Sequence, residues 1–154
     1  MKRSKKLLAL LLSVVLTLGM FTACAPSEQT SGSSVQQTID EDGSYTSKDE
    51  VALYIHTYGH LPENYITKDE AYDLGWKSEG TLDEVAPGKS IGGDYYGNYE
   101  GHLPDKPGRE YHECDIDYVS GERNAKRLVY ANDGNIYYTE DHYNTFEHLY
   151  GDDE

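Results

Sequence analysis

Residues 111–139, YHECDIDYVSGERNAKRLVYANDGNIYYT, decide the fold of this 154-residue chain. Three runs within it are rich in Tyr, Val and Ile, which is typical of β-strands. These runs cover residues 111–119, 126–131 and 135–139. Asp133-Gly134 is a strong hairpin signal between the last two runs. The stretch therefore predicts consecutive antiparallel strands.

The chain before these strands has a helical pattern. Apolar residues recur at near-helical spacing over residues 49–58, where Ser47 can cap the start and Gly59 can end the helix. Residues 67–70 read Thr-Lys-Asp-Glu, a capping-box pattern that opens a second helix. A short third helix is predicted over residues 82–85.

Helices followed by strands indicate an α+β fold, with the helices packed on one face of an antiparallel sheet. Side chains alternate between the two faces of a strand. If Ile116, Leu128 and Ile136 point at the helices, Glu113 and Arg127 point away from the core. The pattern predicts a charged site in an open cleft on the uncovered face of the sheet.

The N-terminal residues have the pattern of a secretory signal. Residues 2–6 contain four cations, an apolar run extends over residues 7–20, and small residues precede Cys24. Residues 21–24, Phe-Thr-Ala-Cys, resemble the cleavage box of bacterial lipoproteins, in which the cysteine receives diacylglycerol. We expect residues 1–23 to be a lipoprotein-type signal peptide and Cys24 to carry the lipid anchor. Ordinary cleavage near the same position, which would release the protein, is the alternative.

The mature chain is predicted to consist of a linker and one domain. Residues 24–47 are poor in apolar side chains and acidic, so we expect the lipid-anchored cysteine to be followed by a flexible linker. Residues 48–154 are long enough for a single core. The predicted location is the outer face of a bacterial membrane. Cys114 is expected to be a small, partly buried hydrophobe, with a disulfide to Cys24 as the alternative.

The charge balance limits the partners of the chain. The predicted signal holds four of the 13 Lys and Arg residues, which leaves nine against 28 Asp and Glu and a formal charge of −19. Such acidity argues against general affinity for nucleic acid, which depends on neutralising phosphates. It still permits a local basic cleft, because five of the nine cations are Lys68, Arg109, Arg123, Lys126 and Arg127.

The residue types in this part of the chain suit cleavage of RNA. That reaction needs a base for the ribose 2′-hydroxyl, an acid for the departing 5′ oxygen, and positive charge around the phosphoryl oxygens. Glu113 can be the base and His142 the acid. The cations that can hold the phosphate are Lys68, Arg123 and Arg127, and the planar fork of arginine suits phosphate oxygens.

Longer strings carry a resemblance to a known family. They are LPENYITK at residues 61–68, VAPGKSIGGD at 85–94, SGERN at 120–124 and DHYNTF at 141–146. From about residue 46 to 150 the chain resembles the barnase family of secreted, guanyl-preferring bacterial ribonucleases. The resemblance implies a sheet of about five strands and a monomer that needs no metal or cofactor. It also implies cleavage of single-stranded RNA by transesterification to a 2′,3′-cyclic phosphate, followed by hydrolysis.

The resemblance also implies a role for each matching residue. Glu113 would be the general base and His142 the general acid. The phosphate-binding cations would be Lys68, Arg123 and Arg127. The substrate-binding residues would be Gly97, Asn98, Tyr99, Glu100 and Tyr143, with Glu100 accepting hydrogen bonds from guanine. Asp115 would be a buried carboxylate that orients the arginines, and Arg109 and Asp133 would form a structural ion pair.

Two departures from the family pattern bear on function. Tyr99 stands where the family prototype has an arginine, and the prototype is basic whereas this chain is acidic. We expect the loss of a cation at Tyr99 to weaken contacts to outer phosphates and binding of a barstar-like inhibitor, which uses acidic residues. The acidic surface should lower the association rate for RNA. The alternative function is a catalytically weakened surface module that binds RNA or protein. A toxin aimed at competing cells is a third hypothesis.

Overall fold

The computed structural model describes residues 38–78 and 80–152. The predicted signal peptide, Cys24 and the first part of the predicted linker lie outside this range. The helices are α1 (Lys48–Tyr58), α2 (Lys68–Asp73) and a 3-10 helix at Leu82–Glu84. The strands are β1 (Tyr65–Ile66), β2 (Ser90–Tyr96), β3 (Tyr111–Asp115), β4 (Arg127–Ala131), β5 (Ile136–Thr139) and β6 (Glu147–Tyr150).

Across the described residues the strands form one six-stranded sheet in the order β1-β2-β3-β4-β5-β6. The short β1 strand pairs with β2 in parallel, and every later neighbour pairs antiparallel. The α+β prediction is confirmed, and the sheet is one short strand longer than the five expected. The hairpin predicted at Asp133-Gly134 connects β4 to β5.

Helix α1 packs on one face of the sheet, as the alternation of side chains predicted. Val51 and Ile55 of the helix share a buried cluster with apolar side chains of β3, β4 and β5. The strand side of this cluster comprises Cys114, Leu128 and Ile136, with Ile116 just beyond β3. Cys114 is therefore a buried hydrophobe, and burial raises the pKa of its thiol.

The other face of the sheet carries another apolar cluster and the charged residues. Tyr111, Val129 and Tyr137 form the base of this cluster, and Tyr143 and Phe146 pack against it. Glu113 and Arg127 lie on the same face, in agreement with the prediction. They are less open than expected, because only 8% of Glu113 and 3% of Arg127 is exposed.

Several elements differ from the sequence-based predictions. The first long strand ends at Asp115 instead of Val119, and the third helix is a single 3-10 turn. Strands β2 and β6 were not predicted. Strand β2 contains a bulge between Gly92 and Asp94, where Gly93 has a φ of 98° that favours glycine.

The ordered domain begins earlier than the predicted boundary at residue 48. The hydroxyls of Tyr54 and Tyr58 in α1 donate to the carbonyls of Glu41 and Ile39, at 2.9 and 2.8 Å. Tyr45 packs against the α1 cluster. The flexible linker predicted to reach residue 47 is wrong for residues 39–47, because these contacts hold that segment on the domain.

The two α-helices begin with different cap chemistry. Thr67 accepts a hydrogen bond from the backbone N–H of Glu70, whose carboxylate accepts from the backbone N–H of Thr67, so the predicted capping box is confirmed. Ser47 occupies the N-cap of α1, but its hydroxyl donates to the Glu50 carboxylate and caps no backbone group. The side-chain cap predicted at Ser47 is therefore wrong.

This difference predicts unequal effects of two matched substitutions. Thr67→Ala removes an acceptor from a helix terminus, so we expect the free energy of unfolding to fall by about 1 kcal/mol. Ser47→Ala removes no such acceptor, and its effect should be smaller. Urea denaturation of both variants measures the two changes. An equal loss in both would contradict the assignment of the caps.

Candidate active site

Glu113 lies in the middle of β3 with both carboxylate oxygens engaged. The Lys68 ammonium donates to Oε1 at 2.6 Å, and the Tyr143 hydroxyl donates to Oε2. A carboxylate oxygen has two lone pairs, so each oxygen retains capacity for a further donor. Glu113 can therefore accept a proton from a substrate hydroxyl while it stays oriented by its two partners.

Asp94 holds Lys68 beside Glu113, a role that the sequence analysis did not predict. Its carboxylate accepts the backbone N–H of Lys68 at 3.1 Å and lies 3.9 Å from the ammonium. The bulge at Gly93 precedes Asp94 in β2 and sets its direction. Asp94 ends the family string at residues 85–94, which was the signal that could have identified it.

Asp115 holds the two arginines of the site. Arg123 donates to both of its oxygens through Nε and Nη2, each at 2.7 Å, which is a bidentate pair. The Nε of Arg127 lies 3.0 Å from Oδ1, and its Nη1 donates to the carbonyls of Asn124 and Lys126. Only 1% of Asp115 is exposed. The predicted orienting carboxylate therefore has the expected contacts.

The burial of the two guanidiniums affects them differently. Burial lowers the pKa of Arg127, with Asp115 opposing the change and Arg123 adding to it. Burial also acts against the charge of Arg123, but its hydrogen bonds to Asp115 outweigh this, and its pKa is raised. Free arginine titrates above about 12, so both side chains are cations at neutral pH. Two fixed positive charges thus lie at the same end of β3 and β4.

His142 lies in the loop between β5 and β6, and it is exposed. His142 and Tyr143 have φ values of 57° and 74°, which side-chain-bearing residues rarely adopt. The backbone N–H of His142 donates to the Ala125 carbonyl at 3.2 Å, and that of Tyr143 donates to the Thr139 hydroxyl at 2.9 Å. These bonds hold the strained turn and direct the imidazole towards the arginines.

Asp141 stabilises the same loop through hydrogen bonds to other residues of the loop. Its carboxylate accepts the backbone N–H groups of Asn144 and Thr145 and the hydroxyls of Thr139 and Thr145. The hydrogen bond from the Thr145 backbone is the main reason that the pKa of Asp141 lies below its ordinary value. The loop that carries His142 is therefore stabilised by a carboxylate that stays ionised at neutral pH.

The loop after β2 forms the opposite wall of the site. Asn98 has a φ of 47°, and its amide bonds both the N–H and the carbonyl of Leu103, at 3.0 and 2.9 Å. These two bonds fix the shape of the loop, and Asn98 also lines the cavity of the site. Glu100 is exposed, and Tyr99 is 90% exposed with its ring against Gly97.

All ten residues predicted for catalysis and substrate binding line one cavity of about 280 Å³. They come from the start of α2, the strands β3 and β4, and three loops. Tyr95 and Tyr96 also line the cavity and were not predicted. Tyr96 stacks on Tyr143 with ring centroids 5.2 Å apart, which supports the tyrosine that contacts Glu113.

The predicted structural ion pair lies outside this cavity. Arg109 donates through Nε to Asp133 at 2.7 Å, which ties the segment before β3 to the β4-β5 hairpin. Within residues 38–78 and 80–152, no group of three or more His, Cys, Asp or Glu side chains could hold a metal ion.

The arrangement suits one class of enzyme. The carboxylate of Glu113 and the imidazole of His142 face a cavity that is also lined by a second carboxylate, an ammonium and two guanidiniums. Cleavage of a phosphodiester needs proton transfer at two oxygens and positive charge at the phosphoryl group. The fold and the cavity therefore define a phosphodiester-cleaving enzyme.

Comparisons with known proteins agree with this class. A ribonuclease family model matches residues 48–150. A ribonuclease of Bacillus pumilus is 50% identical over 131 residues, which cover 83% of this chain and 81% of the relative. A ribonuclease of Heyndrickxia coagulans is 59% identical over 102 residues, 66% of this chain and 94% of the relative. The chain belongs to the ribonuclease family and is an endoribonuclease.

The name of a more distant relative also states its base specificity. The guanyl-specific ribonuclease St of Saccharopolyspora erythraea is 44% identical over 55 residues, which are 35% of this chain and 54% of that protein.

The contacts of Asp115 predict a large loss of stability when its charge is removed. Asp115→Asn leaves two buried guanidiniums without their anion, so we expect unfolding free energy to fall by about 3 kcal/mol or more. Asp117→Asn is the matched control, because Asp117 forms an exposed ion pair with Lys126 at 2.7 Å. Its loss should cost less than about 1 kcal/mol. Similar losses in urea denaturation of the two variants would contradict the role of Asp115.

Proposed function

We propose that this protein is an extracellular, guanyl-preferring endoribonuclease that cleaves single-stranded RNA in two steps. In the first step the ribose 2′-oxygen attacks the phosphorus and the 5′ oxygen departs, which yields a 2′,3′-cyclic phosphate. In the second step water hydrolyses that ring. The observation that carries the proposal is the convergence of Glu113, His142 and three cations on one cavity.

Glu113 is the base of the first step, and His142 is the acid. Glu113 takes the proton of the 2′-hydroxyl, which makes its oxygen a stronger nucleophile. His142, as the imidazolium, gives a proton to the 5′ oxygen as that oxygen leaves. In the second step the roles reverse: His142 takes a proton from water and Glu113 returns one to the 2′ oxygen.

Lys68, Arg123 and Arg127 stabilise the phosphoryl group. Negative charge grows on its non-bridging oxygens in the transition state, and fixed cations interact with that charge without having to reorganise. Asp115 orients both guanidiniums before the substrate arrives. The ammonium of Lys68, fixed by Asp94 and Glu113, adds a third positive charge.

The loop after β2 selects the base. Glu100 accepts hydrogen bonds from the N1 and N2 groups of guanine, a donor pair that adenine lacks on that edge. Asn98 keeps the loop in shape through Leu103. The exposed ring of Tyr99 provides a surface on which a base can stack, in place of a cation for an outer phosphate.

Substitution of the proposed base and acid tests the mechanism. We expect Glu113→Ala and His142→Ala each to lower kcat/KM for GpU by about 100- to 10,000-fold, because each removes one proton transfer. Glu110→Ala and His56→Ala change the same residue types at exposed positions outside the cavity and should retain activity. Circular dichroism shows whether each variant is folded. Full activity in a folded Glu113 or His142 variant would favour the alternative, a binding module that does not depend on catalysis.

Glu100→Ala tests the choice of base separately. The ratio of kcat/KM for GpU to that for ApU should fall by roughly 10- to 100-fold, because a bidentate contact to guanine is lost. The kcat/KM for ApU is the internal control, because it shows whether the catalytic chemistry of the variant is intact. An unchanged ratio would show that another group recognises guanine.

We infer from the lipoprotein-like cleavage box that the mature protein is anchored to the outer face of the membrane by Cys24, and from the family resemblance that it is a monomer. In the described part of the chain, no helix has the length and apolar character needed to span a bilayer. In this proposal the lipid supplies the attachment, and the chain between Cys24 and residue 39 connects it to the domain. Secretion without a lipid is the alternative.

Cys24→Ser distinguishes the anchored form from the secreted form. In a bacterial host that processes lipoproteins, the wild-type protein should sediment with membranes, and the variant should not. Radiolabelled palmitate should enter the wild-type protein only. Release of both proteins into the medium would contradict the anchor.

A barstar-like inhibitor is a further proposed partner. Its acidic side chains would approach Arg123 and Arg127, but Tyr99 removes a cation from its contact surface. The acidic surface of the domain would also slow its approach.

A further inference from the structure

A second cavity of about 470 Å³ lies beside the active site. Arg123, Arg127 and His142 line both cavities. Glu113 and the loop at residues 97–100 line the first cavity but not the second. The second cavity therefore lies on the side of the phosphate-binding cations where the proposed acid is found.

The proposed chemistry indicates which part of the substrate this second cavity holds. His142 protonates the oxygen of the departing group, so the nucleoside attached to that oxygen has to lie on the His142 side. The guanosine occupies the first cavity with Glu113 and the loop of Glu100. The leaving nucleoside then occupies the second cavity, an assignment that rests on the proposed function.

Glu122 brings a carboxylate to this second cavity. It is the central residue of the SGERN string at residues 120–124. Its side chain is exposed, and it has neither an ion pair nor a hydrogen bond with any described residue. The carboxylate is thus available to a ligand.

The backbone on both sides of Glu122 is fixed. Gly121, with a φ of 78°, donates its N–H to Asp83 at 2.9 Å, and that carboxylate also accepts the Tyr118 hydroxyl at 3.0 Å. On the other side, Arg123 forms its bidentate pair with Asp115. Glu122 therefore projects from a short segment held at both ends, and its position does not depend on a mobile loop.

We propose that Glu122 is a specificity-determining residue for the leaving nucleoside. An ionised carboxylate only accepts hydrogen bonds. Adenine, cytosine and guanine each carry an exocyclic amino group that can donate to it, whereas uracil carries none and offers only its ring N3–H as a donor. The enzyme therefore prefers a leaving nucleoside with an amino group and discriminates against uridine.

The test compares GpA, GpC, GpG and GpU as substrates for the wild-type domain and for Glu122→Gln. We expect the wild-type kcat/KM for the three amino-bearing substrates to exceed that for GpU by roughly 2- to 10-fold, the range of one exposed hydrogen bond. In Glu122→Gln the kcat/KM values for the four substrates should become similar, because the amide can both donate and accept.

Glu110→Gln is the matched control, since it removes the same charge from an exposed position outside both cavities. It should retain the wild-type order of substrates, which separates a local contact from the general effect of charge on RNA. An order that is unchanged in Glu122→Gln, or a wild-type preference for GpU, would overturn the inference while the proposed function stands. Failure of the folded wild-type protein to cleave any of the four would overturn both.

Discussion

The carboxylate of Asp115 is the constraint on which the site depends. Two guanidiniums on adjacent segments, Arg123 and Arg127, would repel each other and lose hydration if they were buried alone. Asp115 is almost completely buried between them, accepts hydrogen bonds from Arg123 and forms an ion pair with Arg127. The hydroxyl of Tyr65 donates to its carbonyl at 2.9 Å, which ties this end of β3 to β1. One side chain thus stabilises the fold and prepares the phosphate site.

The positive and negative charges within the site nearly balance. The cations Lys68, Arg123 and Arg127 face the carboxylates of Asp94, Glu113 and Asp115, which hold them in place. The surrounding chain is strongly acidic. A phosphate is therefore attracted over a short range by directed donors and is repelled over a long range by the protein as a whole. Added salt screens the long-range repulsion more than the close contacts, so this enzyme should tolerate ionic strength better than a basic relative.

The sequence predicted the helices and three central strands, because these carry strong local signals, and the ten residues assigned to the site line one cavity. The strand β2 was missed, since Gly92 and Gly93 interrupt its pattern and the bulge they form depends on tertiary packing. Asp94 was missed for the same reason. The contacts of residues 39–47 with the domain were not predicted, because a polar segment that contacts α1 has no distinctive sequence pattern.

The most direct test of the central claim, that the ribose 2′-hydroxyl is the attacking nucleophile, uses GpU and its analogue with 2′-deoxyguanosine. Phosphorus NMR of the reaction with the domain should show a guanosine 2′,3′-cyclic phosphate that forms first and is then hydrolysed. The deoxy analogue, which lacks the nucleophile, should not be cleaved. Cleavage of the analogue at a rate comparable to that of GpU, or direct formation of the 3′-phosphate with no cyclic product, would contradict the account.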